Sequence, residues 1–120
     1  GTPLAPVLEA QRAGRDILFD IDVQGAAQLH LSLPSAHFVF ILPPSMEELE
    51  KRLRGRGTDT DEVIRVRLAD ARQEIREARW FDSLILNDDL DRAYQDLRAA
   101  YLQATLAPKL HTALLDSLLF

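Results

Sequence analysis

Phe38-Val39-Phe40-Ile41-Leu42-Pro43-Pro44-Ser45-Met46-Glu47-Glu48 holds a strand, its stop and the start of a helix. The run Phe38–Leu42 is continuously apolar, which predicts a strand buried on both faces, as in a parallel sheet. Pro43-Pro44 ends it, because proline donates no ladder hydrogen bond. Ser45 followed three residues later by Glu48 is a capping box. The helix it opens extends to Gly55, where glycine breaks the pattern.

The same alternation continues in both directions. Upstream, Thr2-Pro3 reads as a helix cap with proline at the first helical position, Leu4, Val7 and Leu8 give an apolar face, and Gly14 is the stop. Ile17–Val23 is a predicted strand, and Gly25–Leu33 a helix closed by Pro34. Downstream, a long helix starts near Thr60 or Asp61, with Ile64, Leu68, Ala71, Ile75 and Ala78 on one stripe. Ser83–Leu86 is a short strand. Asn87-Asp88-Asp89 then caps a helix with Leu90, Ala93, Leu97 and Tyr101 on one side. A last helix, broken from it near Pro108, carries Leu110, Leu114 and Leu118. Strands alternating with helices imply right-handed crossovers and an α/β fold with a parallel sheet. Ligands of such sheets bind at the carboxyl ends of the strands, where Asp20, Asp22, Pro43, Asn87 and Asp88 fall.

The bulk properties narrow the function classes. A chain of 120 residues, 47% hydrophobic and 28% charged, has the composition of a soluble globular domain. It contains no apolar run long enough for a membrane helix and no signal-peptide pattern. The absence of cysteine excludes disulfides and thiolate metal sites, and fits a reducing compartment. A net charge of −5 argues against a nucleic-acid partner. The charge is uneven: residues 51–79 hold nine of the 14 basic residues against six acids, a net +3, leaving −8 elsewhere.

That basic segment includes Arg52-Leu53-Arg54-Gly55-Arg56-Gly57-Thr58, with Arg67 on the next helix. Guanidinium groups around a glycine turn suit phosphates, whose charge in a transfer reaction must be neutralised by positioned donors. The competing reading is a solvated helix face. It holds best for Arg72, Arg76 and Arg79, and least for Arg56 between its two glycines. Asp20 and Asp22, two apart on the predicted strand, would point to one face about 7 Å apart. An acid at such a strand end can hold magnesium through water, or Asp22 can simply cap the next helix. Asn87 and Asp88, taken alone, read as a helix cap. His30, His37 and His111 show no metal spacing, and Trp80-Phe81 reads as packing.

Asp16-Ile17-Leu18-Phe19-Asp20-Ile21-Asp22-Val23-Gln24-Gly25-Ala26, Phe40-Ile41-Leu42-Pro43-Pro44-Ser45, Arg52 to Thr58 and Leu86-Asn87-Asp88-Asp89 together closely resemble guanylate kinase, above all the bacterial enzymes. The resemblance implies a P-loop nucleoside monophosphate kinase of the cytoplasm that moves the γ-phosphoryl of ATP to GMP or dGMP with Mg2+. It implies that Arg56 and Arg67 are lid arginines on the transferring phosphates and that Arg52 reaches the ATP phosphates. Asn87 and Asp88 would lie beside the adenine, and Asp20 would orient magnesium-bound water. Asp22 would face the GMP pocket, and Thr2 matches a small hydroxyl residue near the guanine. The expected architecture is a partial P-loop-kinase fold of three layers, with core elements 1–44 and 80–120 and a helical lid over roughly 45–79.

One departure is large. No G-x-x-x-x-G-K-[ST] occurs in these residues, so the chain resembles the carboxy-terminal three-fifths of such an enzyme, without the P-loop strand. That strand should lie between 17–22 and 38–42, so both neighbours would present open edges. The isolated chain is therefore expected to lack activity, and either to associate with further copies or to need the absent strand. A second reading is the catalytically dead guanylate-kinase-like module of membrane scaffolds, which binds peptides. Such a module has no use for Arg56 and Arg67 together.

Overall fold

A computed structural model of the protein describes residues 4–120, so Thr2 and the predicted cap at Thr2-Pro3 lie outside the described residues. The chain divides into two compact units, residues 1–36 and 37–120.

The first unit carries α1 (Leu4–Arg12) and α2 (Val23–Ser32). Val7 and Ala10 on α1, Ala26 and Leu29 on α2, and Leu33 just beyond it are buried. Gly14 takes φ of 73°, the left-handed conformation that ends a helix without a Cβ clash. The predicted strand Ile17–Val23 does not form: residues 15–22 have no regular structure, and α2 already begins at Val23. An apolar run becomes a strand only where another strand shares its ladder, and among the described residues none pairs with this one. Leu18 is 85% exposed as a result.

The second unit is built on β1 (Val39–Leu42) and β2 (Ser83–Leu86), which pair in parallel with Val39 opposite Ser83 and Leu42 opposite Leu86. Between them run α3 (Met46–Gly55) and α4 (Asp61–Arg76), and α5 (Leu90–Thr105) follows β2. The ladder is extended at both ends. The Asp82 and Ser83 amides donate to the Phe38 carbonyl at 2.8 and 3.0 Å, and the Asn87 amide donates to the Leu42 carbonyl at 2.8 Å. Phe38 and Phe40 pack edge-on against Trp80 and Phe81, with ring centroids 5.1–6.2 Å apart. Trp80 and Phe81 thus serve packing. Burial of β1 on both faces, expected from its sequence, holds on one face only. Phe40 is buried, whereas Ile41, which faces the other way, is 54% exposed.

The helix starts follow their caps. Ser45 Oγ accepts from the Glu48 amide at 3.0 Å, Thr60 Oγ1 from Val63 at 3.3 Å, and Asp89 Oδ1 from Arg92 at 3.1 Å. Each satisfies an amide that a helix start leaves without a partner. Leu53 on α3 and Ile64 and Leu68 on α4 form a buried cluster, with Met46 and Leu49 packed against it. Burial of each large side chain contributes about 1.5–3 kcal/mol, so this seam holds α3 and α4 together as a helical hairpin. On α5 the inward residue is Ala100, with Leu90 and Tyr101 exposed. The last helix, α6 (Thr112–Leu119), leaves Leu114, Leu115, Leu118 and Leu119 exposed. No helix among the described residues is long and apolar enough to cross a membrane.

Candidate functional site

The candidate site residues of the second unit lie at the carboxyl end of β2 and on the α3–α4 hairpin. Arg52 lies in the last turn of α3 and reaches across to the end of β2. Its Nη1 and Nη2 both donate to the Asn87 carbonyl at 3.3 Å, while its Nε pairs with Glu48 at 3.4 Å, one helical turn back. Arg52 and Asn87, 35 residues apart in sequence, therefore meet directly. Asp88 accepts from the Asp89 amide at 2.7 Å and pairs with Arg92 at 3.5 Å. A mostly apolar hollow of about 220 Å³ opens beside Asn87, lined by Ile41, Ile85, Tyr94 and Leu97 among others.

The loop between α3 and α4 separates three further arginines. Arg56 caps the carboxyl end of α3 in helical conformation, so it follows Arg52 by one turn on the same side. Gly57 then reverses the chain at φ of 68°, a conformation disfavoured for residues with a Cβ. Arg54 Nη1 pairs with Asp61 at 2.6 Å and its Nη2 with Glu50 at 3.3 Å, tying the end of α3 to the start of α4. The hydrogen bond from Arg54 and then its charge hold the Asp61 carboxyl below the usual aspartate range, with a smaller contribution from Arg65. The same hydrogen bonds, to Asp61 and Glu50, raise the Arg54 guanidinium above its ordinary value. Arg67 Nε pairs with Asp59 at 3.4 Å. The Arg56 side chain, by contrast, makes no hydrogen bond or ion pair among the described residues, while its backbone amide donates to the Arg54 carbonyl.

Comparison with known proteins fits this geometry. The guanylate kinase family model matches residues 1–104. The chain belongs to the guanylate kinase family. It is 59% identical over 119 residues to a guanylate kinase of Lawsonia intracellularis, covering 99% of this chain and 56% of that protein. It is 60% identical over 119 residues to one of Nitratidesulfovibrio vulgaris, covering 99% of this chain and 58% of that protein. For Oleidesulfovibrio alaskensis the identity is 58% over 119 residues, with 99% and 58% covered. The chain thus spans a little over half the length of these curated relatives. Its mixed α/β architecture with a small parallel sheet accords with a partial P-loop-kinase fold.

Within this family framework the predicted site residues fall into two groups. Arg52, Arg56, Arg67, Asn87 and Asp88 all lie in the second unit. Asp20 and Asp22 lie in the first. The basis for their common face is lost with the strand, and Asp22 is the N-cap of α2, accepting from the Gly25 amide at 2.7 Å. Among the described residues no group of three or more histidine, cysteine or acidic side chains could hold a metal by itself. Reading the sequence missed Asp59, Asp61 and Arg54 as the residues that set the loop. The alternation Thr58-Asp59-Thr60-Asp61 beside three arginines was the available signal.

Proposed function

We propose that these residues form the lid and part of the nucleotide-binding core of a kinase that transfers the γ-phosphoryl group of ATP to GMP or dGMP. The observation that carries the reading is the unequal treatment of the arginines: Arg54 is tied on both sides, while Arg56 stands exposed and unpaired among the described residues. An arginine side chain left without a partner at a helix end keeps all its donors for an arriving anion. A transferring phosphoryl group spreads negative charge over its oxygens, and donors already in place stabilise it without reorganisation.

In this reading Arg56 and Arg67 neutralise the transferring phosphates and Arg52 reaches the ATP phosphates from its anchor at Asn87. Asn87 and Asp88 flank the adenine, which the adjoining apolar hollow suits. Asp22 and Thr2 face the GMP side, and residues 45–79 act as the lid. Asp20 is an exposed carboxylate, a hard oxygen donor of the kind magnesium accepts through water. It fits an outer-sphere role for Mg2+ arriving with ATP, and the ion when bound would offset phosphate charge. Isothermal titration with GMP and with ATP, on the protein in which these residues follow a P-loop segment, tests the reading. Saturable binding of both is expected, with ATP binding weakened by Arg52→Ala. Binding of neither would exclude it.

A further inference from the structure

We propose that Asp59 is a positioning residue for Arg67, fixing its guanidinium for phosphate. Side chains on a helix lean toward its amino end, so Arg67 on α4 leans back over the loop that carries Asp59. The pair meets through Arg67 Nε and Asp59 Oδ2 at 3.4 Å. The carboxylate is the more enclosed partner, its side chain 15% exposed against 50% for the arginine. An ion pair this exposed adds little stability, so its consequence is orientation. Holding Nε leaves both Nη groups of Arg67 without a partner among the described residues, and this fork is what binds a phosphate bidentately. The neighbouring Asp61 takes Arg54 instead. Two acids flanking the Thr60 cap therefore assign two arginines to fixed places and leave Arg56 unengaged.

The proposal rests on the reading of Arg67 as a phosphate-binding arginine, and its test separates the two. The first measurement needs no activity: nitrogen-15 NMR of the Arg67 Nε–H in the protein with its P-loop segment. A resolved signal is expected, moving to the position of a free arginine in Asp59→Asn and recovering in Asp59→Glu. A signal indifferent to Asp59→Asn overturns the proposal. The second measurement is a double-mutant cycle on GMP phosphorylation by the protein with its P-loop segment. Misplacement of a reacting group can cost up to about 10²-fold, and here we expect Asp59→Asn to lower kcat about tenfold with KM for GMP unchanged. The same change in an Arg67→Ala background should cost nothing further. Losses that multiply would mean that Asp59 does not act through Arg67. Absence of GMP-dependent turnover in the unmutated protein would reject the kinase reading, and the NMR result would still decide the placement of Arg67.

Discussion

Arginine side chains a few residues apart can serve opposite purposes, and their partners decide which. Arg54 sits between Glu50 and Asp61 and is structural. The Arg56 side chain, two residues later, has no partner among the described residues. Sequence marked the arginine–glycine stretch as a phosphate clamp because guanidinium groups around a glycine turn suit phosphates. It set Arg56 apart by its two glycines, but it could not show that Arg54 is taken up by Asp61, which arrives from the next helix. Asp22 shows the same limit from the other side, as its capping bond to Gly25 was one of two readings a lone strand-end acid allows. At this scale the expected result is that Arg56→Ala or Arg67→Ala lowers the phosphoryl-transfer rate about 10²–10⁴-fold in the protein with its P-loop segment. Steady-state ADP release measures it, and an unchanged rate would remove the residue from the mechanism.

Local chemistry made the starts of α3, α4 and α5 readable. Ser45, Thr60 and Asp89 each accept the amide that a helix start leaves free. The seam of Ile64 and Leu68 was equally visible, because helical periodicity needs no knowledge of distant partners. Residues 15–22 failed for the opposite reason: an apolar run holds a strand only through a ladder with another strand. The Arg54–Asp61 clasp between α3 and α4 yields a prediction about pH. The folded Asp61 carboxyl titrates below its unfolded value, so the clasp stabilises the hairpin above about pH 4 and is lost as pH falls through the lowered value. Thermal melts between pH 6 and pH 2 should show a smaller acid-induced drop in Asp61→Asn than in the unmutated chain. Parallel curves would mean that the clasp carries no pH dependence.

Across the molecule, apolar surface is the dominant feature. Ile41, Leu84 and Leu86 of the two-stranded sheet are each more than 40% exposed, and each strand keeps an edge without a partner among the described residues. Open parallel edges template further pairing, and a two-stranded sheet is marginal by itself. Light scattering of the 120-residue chain should therefore show self-association that rises with concentration. A monodisperse, stable monomer would contradict this.

We propose that Arg52, Arg56 and Arg67 stand on one hairpin as the phosphate-handling lid of a guanylate kinase. The most direct test is ADP release from ATP in the presence of GMP, AMP or CMP, by the protein in which these residues follow a P-loop segment. Turnover dependent on GMP and lost in Arg56→Ala is expected, with none from the 120-residue chain alone. Equal turnover with AMP or CMP, or GMP turnover that survives Arg56→Ala, would contradict it.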